Sequence, residues 1–89
     1  MARFEIAEID GGAAVSVALS ADMLLDLGLM YSTGASLPAD LVTAHKWFNI
    51  AAVSGNHEAV RLRQEIAGEM SAAEIAAAQR AARDWLSLH

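Results

Sequence analysis

An all-α chain of helical hairpins is what this sequence predicts, and three observations carry the prediction. Alanine fills 20 of the 89 positions, against six glycines and one proline. That balance favours helix, because Ala loses no side-chain entropy there and few breakers interrupt it. Apolar residues recur at three- and four-residue spacing from Leu24 to Trp85, the period of amphipathic helices. The stop and start signals between these stripes are only a few residues apart, which makes neighbouring helices antiparallel.

The elements follow in order. Residues 1–19 read as an N-terminal extension: Phe4, Ile6 and Ile9 stand among acids, and Gly11-Gly12 closes the segment. Strand, helical turn and free arm all stay open for it. Ser20 is the expected N-cap of a first helix over 21–32, whose core stripe is Leu24, Leu27, Gly28 and Tyr31. Gly34 suits the left-handed C-terminal position. Leu37-Pro38-Ala39-Asp40 opens a second helix, with Pro38 in the first turn and Asp40 complementing the dipole. Its stripe is Leu41, Ala44, Phe48 and Ala51 or Ala52, and Gly55 stops it near Val53. A third helix is expected over 56–69 on Ala59, Leu62, Ile66 and Met70. Ser71 and Glu74 form a capping-box pattern for a fourth over 72–86, on Ile75, Ala78, Ala82 and Trp85. Residues 20–89 thus make one helical domain of two stacked hairpins.

Composition excludes several functions. Six basic against eleven acidic residues give a net charge of -5, so nucleic acid and anionic membrane surfaces are not expected partners. Without Cys there is no disulfide, thiolate nucleophile or Cys-based zinc site. The charge-free runs 11–21 and 27–39 are well short of the roughly 20 apolar residues of a membrane span. The acids at Glu5, Glu8 and Asp10 do not suit a secretory signal. A cytoplasmic location is the expectation, with a periplasmic or secreted one left open.

The stretch 23–59 resembles a Sel-1-like repeat, a relative of the tetratricopeptide repeat. Its residues are Leu27, Gly28, Tyr31 and Gly34 on the first helix and its stop, then Asp40, Ala44, Trp47, Phe48, Ala51 and Ala52 on the second, closing with Gly55 and Ala59. Met23, Ser36 and Thr43 depart from the usual pattern, Thr43 on what should be the outer surface. One copy is visible, and the last hairpin reads as a cap. The resemblance implies a scaffold in which Gly28 admits the second helix at Ala44 or Ala51, while Trp47 and Phe48 wedge one hairpin against the next. It also implies adaptor work in assembling complexes, with first helices lining the partner-binding surface.

Candidates for chemistry are thin. His45, His57 and His89 read as surface side chains, since no i, i+4 pair or third ligand accompanies them. Asp22 and Asp26, one turn apart, read as a solvated face. Arg80 and Arg83 complement the end of the fourth helix dipole. No phosphate loop, nucleophile elbow or triad spacing appears, so neither enzyme activity nor a cofactor or metal is expected. The less ordinary feature is Leu25 and Leu29, projecting opposite the core stripe beside Asp22, Asp26 and Thr33. A helix apolar on two sides usually has something packed on both. The cover could be the arm carrying Phe4, Ile6 and Ile9, a second copy forming a homodimer, or a foreign peptide. A protein-interaction or scaffold module is the expected function. The alternatives are a small self-associating structural subunit and, more distantly, an enzyme or metal-binding domain using His57.

Overall fold

The computed structural model describes residues 19–35 and 38–89, and all of its regular structure is helical. Four helices follow one another: α1 (Ala21–Thr33), α2 (Leu41–Val53), α3 (Glu58–Ala67) and α4 (Ala72–Leu88). The fold class expected from alanine content and periodicity is therefore the one observed. The extension 1–18, the loop position Ser36 and the first residue of the Leu37-Pro38 pair lie outside the described residues.

Local chemistry sets the boundaries. Ser20 Oγ accepts from the Met23 N–H at 3.2 Å and caps α1, and Gly34 ends it at φ 69°, a conformation that strains residues with a Cβ. Asp40 is the N-cap of α2, not a first-turn acid: its Oδ1 accepts from the Thr43 N–H at 3.1 Å and its Oδ2 from the Thr43 hydroxyl at 2.8 Å. Thr43 is correspondingly half-buried, not out on the surface. The Asp40 N–H donates to the Tyr31 carbonyl at 2.9 Å, tying the end of α1 to the start of α2.

α3 begins two residues later than expected, yet Asn56 still serves its N-terminus. Asn56 Oδ1 accepts from the Ala59 N–H at 3.1 Å, and Asn56 Nδ2 donates to Asp22 of α1 at 2.9 Å. α4 starts on the expected capping box, with Ser71 Oγ accepting from Glu74 N–H at 3.1 Å and Glu74 Oε1 accepting from Ser71 N–H at 2.8 Å. It runs on to Leu88, so Arg80 and Arg83 fall short of its last turn and do not cap the dipole. Ser71→Ala removes one arm of the box and should cost about 0.5–2 kcal/mol in a urea titration. Glu74→Gln, which can still reach the Ser71 N–H, should cost less.

The core is organised around α2. α1, α3 and α4 all pack on it, and three of its residues, Ala44, Phe48 and Ala51, share the cluster with Leu24, Ala59, Ala82 and a fourth α2 residue, Ile50. Phe48, Leu24 and Ile50 are the largest fully buried side chains. The stripe read from the sequence missed Ile50 because that residue lies on a different side of α2. With helices on several sides, a central helix needs no single stripe.

Gly28 admits α2, but the neighbour is not an alanine. A Cβ built at Gly28 would overlap the Phe48 ring at Cδ1 and Cε1. Phe48 therefore seals the α1–α2 pair. Trp47 makes the contact to the last helix, edge to face with Trp85 at 5.5 Å between ring centroids and 77° between planes. Lys46 Nζ stands 4.5 Å from the Trp47 centroid, where the ring face attracts a cation. On the exposed face of α3, Arg61 reaches both Glu58 and Glu65. Such surface pairs contribute little.

Candidate functional site on the outer face of helix 1

α1 carries two apolar stripes of the same spacing. Leu24, Gly28 and Tyr31 form the inner one, of which Leu24 and Gly28 are buried. Met23, Leu27 and Met30 form the outer one, again at i, i+4 and i+7, so all three stand on one side of the helix. Together with Leu19 and Asp26 they line an open cleft of about 280 Å³. Met23 is 47% exposed and Leu19 40%, large apolar surface that a folded chain usually covers. Among the described residues, Asp26 is the charged group of the lining.

The apolar opening is therefore not where Leu25 and Leu29 were expected to place it. Both are half-buried and pack against the core cluster from one flank of α1. Leu27, assigned to the core stripe, touches the core and also lines the cleft. Asp22 is engaged by Asn56. Thr33 spends its hydroxyl on the helix end, donating to the Leu29 carbonyl at 2.8 Å and accepting from the Ala35 N–H at 3.3 Å. Of the five residues expected to form a face, Asp26 alone lines the cleft. Cover of this face by residues 4–18 concerns positions outside the described residues.

The other polar candidates are scattered. His57 is exposed at the N-cap of α3 and makes no side-chain cap bond. His89 stacks on Trp85 at 4.1 Å between centroids, with its Nδ1 2.8 Å from the Trp85 carbonyl. His45 departs from the surface reading altogether: it is 3% exposed. Burial holds its imidazole below the ordinary 6.5, and the nearby Arg63 guanidinium lowers it further. Among the described residues no group of three or more His, Asp or Glu side chains could hold a metal ion. Among them, too, no helix is long and apolar enough to cross a membrane.

The cleft offers apolar contact and the Asp26 carboxylate. Methionine side chains are unbranched and polarizable, so they mould to different apolar partners. A carboxylate at the rim gives such a surface polarity and sign. Comparison with protein-family models, curated proteins and solved structures gave no match for this chain.

Proposed function

We propose that this chain is a non-catalytic protein-interaction module that seats an apolar helix of a partner protein in the cleft of α1, with a Lys or Arg of that partner against Asp26. The observation that carries the reading is the Met23–Leu27–Met30 stripe, apolar and open beside the Asp26 carboxylate. The Sel-1-like spacing of Leu27 to Ala59 supports it, because that resemblance implies an adaptor whose first helices face the partner. Charge argues for a foreign partner over a second copy. α1 holds Asp22 and Asp26 but neither Lys nor Arg, and the chain carries a net -5. Two copies meeting through this face would bring their carboxylates together at a common rim, where like charges repel.

The test is a selection of binders from a library of displayed helical peptides. The expected winners have apolar residues at i, i+3 or i+4 and i+7 flanked by Lys or Arg, the anchor pattern of a helix lying in a groove. Met30→Asp should abolish their binding by placing an unpaired charge in the apolar contact. Asp84→Asn, on exposed α4 surface, should leave it unchanged. Winners insensitive to Met30→Asp would place recognition elsewhere on the molecule. A wild-type chain that sediments as a dimer, and turns monomeric on Met30→Asp, would make the self-associating subunit the right reading instead.

A further inference from the structure

The seam between α2 and α3 contains a buried imidazole, one nitrogen of which has no partner among the described residues. His45 is 3% exposed, and among the described residues its Nδ1 finds no hydrogen bond. One turn further along α2, Asn49 Oδ1 accepts from Arg63 Nη1 at 2.8 Å, so α3 plants a guanidinium beside this stretch of α2. A buried polar atom without a partner costs stability, and a buried charge costs far more. In the neutral state the seam already carries the first of these costs.

Among the described residues, the carboxylates that could neutralise an imidazolium are committed or exposed. On α1, Asp22 takes the Asn56 amide and Asp26 lines the outer cleft. On α3, Glu58 and Glu65 hold Arg61. Before α2, Asp40 holds Thr43, and on α4 Glu74 closes the capping box. Glu69 and Asp84 are exposed, as are the cations Arg80 and Arg83, while Lys46 of α2 lies over Trp47. Among the described residues, the charged group that acts on His45 is Arg63, of the same sign.

We propose that His45 is an acid-triggered release between α2 and α3. A proton taken up at Nδ1 places a second cation in the buried seam with Arg63, and α3 loosens from α2, uncovering Leu62 and Ile66. Between its ordinary 6.5 and its lower value in the closed seam, His45 binds more protons when α3 is detached. The closed form is therefore at full strength above 6.5 and weakens as pH falls below it. One proton changes the opening constant by at most about tenfold per pH unit across that window. Asp40 also weakens the fold in acid, because its carboxyl is held below the ordinary value by the Thr43 N–H and hydroxyl. Its contribution is present above 3.8 and fades only under it, a separate range.

The experiment is native-state hydrogen exchange on the whole chain from pH 8 downward, with the His45 ring followed by NMR. Expected are α3 amides whose opening constants rise below 6.5, by no more than about tenfold per pH unit, and then level off, while α1 amides hold steady. His45→Leu, similar in bulk and unable to titrate, should flatten the response. Should that variant fail to fold, Arg63→Gln serves instead: it keeps a donor for Asn49, removes the cation and should narrow the window. A double variant His57→Asn, His89→Asn, at exposed positions, should respond as wild type does. An acid response that persists in His45→Leu overturns the proposal. So does a folded-state His45 that titrates at or above 6.5, or an opening shared equally by all four helices.

Discussion

Phe48→Ala should lower the unfolding free energy by about 3–5 kcal/mol, the range for truncating a buried aromatic. A domain of this size has roughly 5–15 kcal/mol in total, so the variant should be partly unfolded at moderate temperature. Phe48 is fully buried within the cluster of Leu24, Ala44, Ile50 and Ala51, and its ring fills the space that Gly28 leaves bare. The partner substitution tests that fit from the other side. Gly28→Ala gains about 1 kcal/mol of helix propensity, yet the new Cβ meets a ring locked among buried neighbours. Overpacking of this kind costs typically about 1–3 kcal/mol. Gly28→Ala should therefore destabilise the wild type and stabilise the Phe48→Ala chain, the two sites coupling by about 0.5–3 kcal/mol. Urea titrations followed by far-UV circular dichroism measure all four corners of the cycle. Gly28→Ala stabilising both backgrounds equally would mean that the ring does not rest on this glycine.

That contact shows what the sequence could and could not tell. Gly28 in mid-helix signals a close approach, because a helix interior otherwise prefers Ala. Which residue makes the approach is a matter of crossing angle, and no one-dimensional pattern carries that. Ser20, Gly34 and the Ser71–Glu74 box were legible because caps are local: each satisfies orphan backbone groups within a turn. Asp40 reads from sequence as a dipole partner but is the cap itself, since Pro38 draws the expected first turn ahead of the observed start at Leu41.

The cleft was half legible for a related reason. Met23, Leu27 and Met30 repeat the spacing of Leu24, Gly28 and Tyr31, so periodicity alone gives α1 two equal stripes and does not say which turns inward. Leu25 and Leu29 seemed to oppose the core only because the core was taken to lie on one side. α2 is packed by several helices, and the cluster reaches far enough round α1 to cover them. His45 was misplaced by the same error at larger scale. On an outer helix its position would be solvated; on a central helix with α3 alongside it is buried.

Removing Ser71–His89 should leave a chain that keeps much of its helical signal but loses fixed packing. The sequence alone makes the last segment a cover for Leu62 and Ile66 of α3 and for Met70 just after it. In the structure α4 packs on α2 instead, with Ala82 in the main cluster and Trp85 edge-on to Trp47. Truncation therefore strips the central helix, not a peripheral one, and every other helix depends on α2 for its packing. The Trp–Trp contact is worth about 0.5–1.5 kcal/mol beyond its buried area, and the apolar area of Ala78 and Ala82 is lost with it. The truncated chain should show weak near-UV circular dichroism from Trp47, bind a hydrophobic dye and melt without a sharp transition, the observables of a molten state. Trp85→Ala in the full chain gives the graded counterpart: Trp85 is half-buried, so its loss should fall below the roughly 3–5 kcal/mol of a fully buried aromatic and leave cooperative melting. If the truncated chain instead stays monomeric with a sharp near-UV spectrum and a cooperative melt, α1 to α3 hold their core without α4, and α2 is not the common support that the packing makes it.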